Sequence, residues 1–110
     1  MSQGDIVWVE LPANKGRAQS GRRPAVILQD TSLSLPTVVV APLSSQLAAL
    51  RFPATVLLEP DAANGLRVSS VALVFQVRAV DASYLGHRLG TISMNKLKEL
   101  LAALDELTGR

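Results

Sequence analysis

The sequence contains no cysteine and a single histidine, His87, among its 110 residues. Without cysteine the chain has neither disulfides nor thiolate metal ligands, which suits the reducing cytoplasm where we expect it. One histidine cannot build a His-rich zinc site or a His–His acid–base pair. No apolar run approaches the ~20 residues that a membrane span needs. The first ten residues, MSQGDIVWVE, also lack the pattern of a signal peptide. We therefore expect no contact with a membrane.

Motifs for metals and for nucleotide cofactors are missing as well. The glycines form neither a phosphate loop nor a G-x-G-x-x-G pattern, and no serine stands in a G-x-S-x-G turn. His87 follows a loop glycine and is expected at the surface rather than as a base. The carboxylates are isolated on different predicted elements, with no close pair: Asp5, Asp30, Glu59, Asp61 and Asp81. The sequence therefore predicts no metal site and no cofactor.

The composition indicates one small domain that spans residues 1–110 and has an aliphatic core. Hydrophobic residues make up 48% of the chain, and aromatic residues only 4%. A chain of this length buries about two thirds of its unfolded surface, so we expect further burial in a homodimer. Net charge is only +2, but four cations lie within nine positions without an acid: Lys15, Arg17, Arg22 and Arg23. This run is either a solvated basic loop or a contact for nucleic acid.

Hydrophobic periodicity predicts a mainly β protein with a C-terminal helix. Alternating or continuous apolar residues predict strands, and a helical turn is expected at 46–50. From residue 97 the leucines recur with helical spacing, with Ser93 as N-cap and Gly109 at the end. The stripe comprises Leu97, Leu100, Leu101, Leu104 and Leu107. An SH3-like barrel fits this order best. The predicted strands are 5–11, 24–29, 37–43, 54–58, 71–74 and 76–80.

Arginine and hydroxyl chemistry remain for a site. RNA can be cleaved by its own 2′-hydroxyl if charge on the phosphorane-like transition state is stabilised, and arginine offers planar bidentate donors for phosphate. Arg23 has a suitable setting, since Pro24 anchors it at a strand start, whereas strand alternation turns Arg22 the other way. Ser44 and Ser45 follow a buried strand, where a hydroxyl either donates to phosphate or caps the next turn. We favour capping for Ser45, and for Ser44 both roles stay open.

Three motifs resemble the MazF/PemK-type toxins of toxin–antitoxin systems, and the similarity covers nearly the whole chain. The first stretch, GDIVWVELPANKGRAQSGRRPAVIL, contains the family's G-D start, loop proline and glycine, Gln, Gly and R-P. The second, VVVAPLSSQ, is similar to a strand that ends in Pro-x-Thr-[ST]. The third, SVALVFQVRAVD, is similar to S-V-x-L-x-x-Q-[IV]-R-x-[IV]-D. The combination is specific, although each piece alone would be weak.

The resemblance implies a homodimeric SH3-like toxin that cuts single-stranded RNA at short sequences without metal, leaving a 2′,3′-cyclic phosphate and a 5′-hydroxyl. Arg23 corresponds to the family's catalytic arginine, and Ser44 to its catalytic threonine. A cognate MazE-like antitoxin would bind through its C-terminal tail, across the RNA groove. The implied substrate-binding residues are Asn14, Lys15, Arg17, Gln19, Ser45, Gln46, Gln76 and Arg78.

The chain departs from the family pattern at three points. Ala18 stands where many members have Glu, Leu73 and Phe75 replace an Arg-x-Asp pair, and Ser44 replaces threonine. Phe75 is expected either to stack on a base or to pack in the dimer interface. The missing carboxylates lend weight to an alternative, a non-enzymatic toxin that binds a protein such as DNA gyrase, as the CcdB toxins of the same architecture do. Arg23 and Ser44 argue against it, since such a toxin needs no phosphate pocket.

Overall fold

The computed structural model describes residues 1–12, 16 and 20–110. Within them the chain forms seven strands and one α-helix, which confirms a mainly β fold with a C-terminal helix. The expected contacts of Asn14, Lys15, Arg17 and Gln19 lie outside the described residues. The elements are β1 (Asp5–Leu11), β2 (Gly21–Ile27), β3 (Thr37–Ser44), β4 (Thr55–Leu58), β5 (Ser70–Leu73), β6 (Arg78–Asp81), β7 (Leu85–Thr91) and α1 (Met94–Leu107).

The strands pair antiparallel in the order β4-β5-β3-β2-β1-β7, and β6 pairs with β3. β3 changes neighbours along its length, because Thr37 to Val40 pair with β6 whereas Leu43 and Ser44 pair with β5. Pro42, expected to end the strand or mark a bulge, lies inside β3 between these two ladders. Its missing N–H therefore costs neither ladder a hydrogen bond. In the described pairings the sheet does not close between its edge strands, β4 and β7.

A tight loop spans part of the gap between the two edge strands. Thr91 at the end of β7 donates its backbone N–H to the carbonyl of Ala63 at 2.9 Å. A Cβ at Gly90 would overlap the backbone of Ala63 and Asn64, so only glycine allows this approach. Gly65 has a positive φ of 71°, which favours glycine as well. The loop between β4 and β5 is thus fixed against β7.

Two apolar clusters lie on opposite faces of β1, in agreement with its predicted alternation. Ile6 joins a larger cluster that includes residues of β2 to β5 and the inner face of α1. The other face contributes to a second cluster, Val7, Val9, Leu11, Ala25, Ile27, Val40 and Val80. Both faces of the central strands are therefore buried, which explains their continuous aliphatic sequences.

The helix begins and ends near the predicted residues. The hydroxyl of Ser93 accepts from the Lys96 N–H at 3.2 Å, and Gly109 follows the helix with a φ of 81°. Leu97 and Leu100 are buried as expected, but Leu107 is 44% exposed and Ala103 is buried in its place. The predicted stripe is therefore wrong in the last turn of the helix. No helix among the described residues has the length and hydropathy of a membrane span.

Several predicted boundaries are wrong. β2 starts at Gly21 rather than residue 24 and ends at Ile27 rather than 29, and Pro24 is tolerated because β3 has left β2 at that level. The helical turn is a 3₁₀ helix at Leu47–Arg51, and β4 starts at Thr55. The predicted strands 71–74 and 76–80 are instead Ser70–Leu73 and Arg78–Asp81, because a 3₁₀ helix at Val74–Gln76 turns the chain between them.

Candidate active site

A cavity of ≈ 250 Å³ opens where β2 and β3 separate, and it contains both predicted catalytic residues. The last pair of the β2–β3 ladder is Ala25 with Pro42. Continued by two residues, the same register sets Arg23 across from Ser44. The ladder stops before this level, so Arg23 and Ser44 do not form a backbone pair. The cavity is lined by Trp8, Arg23, Pro24, Leu43, Ser44, Ser45, Gly65, Leu66, Arg67, Val68, Ser70 and Leu89.

Arg23 is exposed but attached to a rigid frame. Its backbone pairs with Val9 of β1, and the next residue, Pro24, pairs with Trp8. The side-chain Nε donates to the Ser20 carbonyl at 3.3 Å. Arg22 places its guanidinium 4.5 Å from the centre of the Trp8 ring, in a cation–π contact. The two neighbouring arginines therefore have different surroundings, and Arg23 is the one that lines the cavity.

Ser44 is 6% exposed and sits at the end of β3, paired with Val71 of β5. Its hydroxyl oxygen accepts a hydrogen bond from the Gln46 N–H at 3.1 Å. Capping by Ser45, which we favoured, is wrong: the cap residue of the 3₁₀ helix is Gln46, without a side-chain hydrogen bond, and Ser44 supports the turn instead. A hydroxyl that accepts can still donate its own proton. Ser44 can therefore stabilise the turn and donate into the cavity at once.

A second cavity of ≈ 320 Å³ shares Ser44 with the first. It contains two further predicted substrate-binding residues, Gln46 and Gln76, and Ser45 lines the first cavity. The remaining lining residues are Ala49, Arg51, Phe52, Leu73 and Phe75. Arg78 lies in β6, half-buried and opposite Val40, and lines neither cavity. The sequence motifs thus brought most of their described residues to these two cavities, which together are called the cleft and share Ser44.

Sequence reasoning missed Trp8 of β1, Arg67 of the loop between β4 and β5, and Asn64, which holds that loop. Asn64 is 3% exposed, and its side-chain oxygen accepts from the N–H groups of Asp61 (3.2 Å) and Leu66 (2.9 Å). Its amide nitrogen donates to the Glu59 carbonyl at 2.8 Å. These bonds set the course of residues 65–68, which line the first cavity. The only sequence signal was an Asn-Gly pair, which indicates a turn without showing what the turn faces.

Arg23 and Arg67 are the ionisable residues among the described lining of the first cavity, which has neither a carboxylate nor an imidazole. Their two guanidinium groups give the described lining a positive charge. Among the described residues, no three of histidine, aspartate and glutamate lie close enough together to hold a metal ion. The site is suited to an anion such as a phosphodiester.

Asp5, from the G-D start, has a structural role. Burial favours a raised pKa for this carboxyl group. The Thr91 hydroxyl (2.7 Å), the Ser2 N–H (2.8 Å) and the nearby Arg88 guanidinium outweigh burial and lower the pKa of Asp5 below its ordinary value. These contacts join the start of β1 to the end of β7. The first motif therefore combines a structural residue, Asp5, with a cavity residue, Arg23.

Comparisons with known proteins find similar chains over nearly the whole sequence. The model of a family described as PemK-like, MazF-like toxin of type II toxin-antitoxin system matches residues 2–108. Endoribonuclease MazF of Staphylococcus saprophyticus is 35% identical over 107 residues, which cover 96% of this chain and 88% of that protein. Among solved structures, MazF (Form-I) from Deinococcus radiodurans has a TM-score of 0.83 at 27% identity, with 100% of this chain and 97% of that chain covered. MazE-MazF (Form-II) from the same organism has a TM-score of 0.77 at 26% identity, with 99% and 96% covered.

Proposed function

As a member of the PemK-like, MazF-like toxins of type II toxin–antitoxin systems, the chain is an endoribonuclease, and we propose that it cuts single-stranded RNA in the cleft between Arg23 and Ser44. The observation that carries the proposal is that both residues line one cavity, just beyond the end of the β2–β3 ladder. The cavity has cationic and hydroxyl donors for a phosphodiester. Cleavage is expected at short sequences, with recognition by the residues around the cleft.

The proposed reaction uses the substrate's own 2′-hydroxyl. The 2′-oxygen loses its proton and attacks phosphorus, the bond from phosphorus to the 5′-oxygen breaks, and that oxygen takes up a proton. The products are a 2′,3′-cyclic phosphate and a 5′-hydroxyl. Because the described lining of the first cavity offers no carboxylate or imidazole, the proposal gives the main role to charge stabilisation rather than to a carboxylate base, and no role to a metal ion.

Arg23 and Ser44 have separate roles in this scheme. The Arg23 guanidinium presents paired donors to the non-bridging phosphate oxygens, where negative charge grows in the transition state. Ser44 donates a hydrogen bond to the same phosphate. One preorganised donor of this kind typically accounts for about 10²–10³ in rate. Arg67 adds a second positive charge to the cavity, and Lys15, Arg17 and Arg78 are proposed to hold flanking phosphates.

An antitoxin and a second copy of the chain are the proposed protein partners. MazF from Deinococcus radiodurans has been solved together with MazE, which supports an antitoxin for this chain too. We propose that the antitoxin's C-terminal tail lies across the same cleft and competes with RNA. The homodimer and the cytoplasmic location stay predictions. A gyrase-type binder is disfavoured, since it would need neither Arg23 nor Ser44 at a shared cavity.

The test compares Arg23→Ala with Lys98→Ala on a long single-stranded RNA in EDTA. Lys98 is exposed on the outer face of α1, so its variant loses the same charge outside the cleft. We expect discrete fragments from the wild type and from Lys98→Ala, and at least ~10²-fold slower cleavage by a folded Arg23→Ala. Unchanged cleavage by Arg23→Ala would refute the assigned site. If neither the wild type nor a folded variant cuts this RNA or a second RNA of different sequence, the protein-binding alternative is favoured.

A further inference from the structure

The second cavity has an aromatic wall that the cleavage chemistry does not use. The rings of Phe52 and Phe75 lie with their centres 5.4 Å apart at an angle of 52°. The Arg51 guanidinium lies 4.8 Å from the centre of the Phe52 ring. Phe52 is 39% exposed, although full burial of a phenylalanine would be strongly favourable. Two of the four aromatic residues of the chain thus stand together at the edge of the cleft.

A strained piece of backbone holds this aromatic pair in place. Ala54 has a positive φ of 55°, which is unfavourable for a residue with a Cβ. In this conformation its carbonyl accepts from the Phe75 N–H at 3.2 Å. The bond joins the chain just after Phe52 to the 3₁₀ helix that contains Phe75. Strain of this kind persists where the surrounding structure fixes it, commonly at binding sites.

We propose that the second cavity binds the nucleobase next to the scissile phosphate by stacking on the Phe52–Phe75 pair. The inference rests on the proposed function, because it takes Ser44 to mark the position of that phosphate. Ser44 lines both cavities, so a phosphate held there leads its adjoining base into the second one. Unpaired RNA bases stack on aromatic rings and on arginine planes, and this wall offers both.

Gln46 and Gln76 line the same cavity as Phe52 and Phe75. A carboxamide both donates and accepts hydrogen bonds, so it can contact the polar edge of a base whose face is stacked. Phe75 stands where an acidic residue is expected from the family resemblance. The subsite makes the base at one position of the cleavage sequence a determinant of affinity.

The experiment measures binding of a 2′-deoxy-blocked version of a mapped cleavage sequence, with an abasic nucleotide placed in turn at each position around the scissile bond. The proteins are the wild type, Phe52→Leu, Phe75→Leu and the control Tyr84→Leu. Tyr84 is exposed in a 3₁₀ helix outside both cavities. Leucine keeps an apolar side chain at each position, and native mass measurement records the oligomeric state of each variant.

We expect each phenylalanine variant to lose about 5- to 150-fold in affinity for the intact RNA, the range found for one stacked base. For RNA that is abasic at one position beside the scissile bond, the same variants should have nearly the affinity of the wild type, because that RNA has no base to stack on the rings. Tyr84→Leu should bind as the wild type does. Equal losses at every abasic position, or a changed oligomeric state with unchanged RNA affinity, would overturn the inference and assign the pair to a protein interface.

The proposed function and the inference can fail separately. If the wild type leaves unblocked RNA intact, the proposed function fails, and a library of short single-stranded RNAs then replaces the mapped sequence in the binding measurement. If Phe52→Leu and Phe75→Leu bind RNAs of that library more weakly than the wild type does, the aromatic subsite is supported even without cleavage. Rapid cleavage with no dependence on Phe52 or Phe75 would refute the subsite alone.

Discussion

Replacing Asn64 by alanine should both destabilise the protein and slow cleavage, because this buried amide holds the loop on one side of the cleft. Its side chain makes three hydrogen bonds to the backbone of Glu59, Asp61 and Leu66, between 2.8 and 3.2 Å. Each such bond contributes about 0.5–1.5 kcal/mol net. The three together predict a loss of about 1.5–4.5 kcal/mol in the free energy of unfolding.

Thermal and urea unfolding measure this loss directly. For a domain of this size 1 kcal/mol corresponds to about 4–8 °C, so the melting temperature should fall by at least about 6 °C. Asn95→Ala is the matched control, since Asn95 is exposed on α1 and should have almost no effect. Residues 65–68 lose their anchor in the Asn64 variant, so kcat/KM should also fall at temperatures where the variant is fully folded.

The melting temperature and kcat/KM test two separate parts of this prediction. If Asn64→Ala unfolds at the same temperature as Asn95→Ala, the three side-chain hydrogen bonds of Asn64 do not stabilise the fold. If stability falls but kcat/KM of the folded variant is unchanged, residues 65–68 have no part in the site, and Arg67 must be removed from it.

Three further predictions concern the cleft, the loop and the pH dependence. Ser44→Ala should lower kcat/KM by about 10²–10³, whereas Ser44→Thr keeps the hydroxyl and most of the activity; equal losses would show that the hydroxyl is not used. Gly90→Ala should cost roughly 1–3 kcal/mol in urea unfolding, because its Cβ meets the loop backbone, and wild-type stability would contradict that packing. Asp5→Asn should be less stable than the wild type at neutral pH. The difference in the free energy of unfolding between the two proteins should shrink as pH falls through the pKa of Asp5 in the folded state, which is lowered, because the stabilising charge is present only above that pKa. A difference that stays constant down to pH 2 would contradict the stabilising role of the Asp5 charge.

The sequence predicted those parts of the fold that depend on local pattern. β1 was predicted at its observed bounds because a full alternation lies between Gly4 and Pro12. The cap at Ser93 followed from one residue and its neighbours. β7 was missed because LGHRLGT contains two glycines and no fully buried side chain, so its strand conformation depends on pairing with distant β1.

The sequence predicted the residues of the candidate site that lie within motifs, but not those that tertiary contacts bring to it. Arg23 and Ser44 were identified from the resemblance, but their meeting depends on the register of β2 against β3, which a sequence pattern alone does not give. Arg67 comes to the cavity through a loop that packs on β7, a contact between residues far apart in the chain. The aromatic pair needed the turn at Ala54, which no residue type at that position indicates.

The most direct test of the proposed reaction uses one RNA that contains a mapped cleavage site, prepared with and without a single 2′-deoxy nucleotide on the 5′ side of the scissile bond. In EDTA we expect cleavage of the all-RNA strand to a 2′,3′-cyclic phosphate and a 5′-hydroxyl, and no cleavage at the deoxy site, which lacks the attacking oxygen. Cleavage of the deoxy strand at the same bond, or 5′-phosphate ends from either strand, would show that water or another nucleophile attacks, and would contradict the proposed reaction.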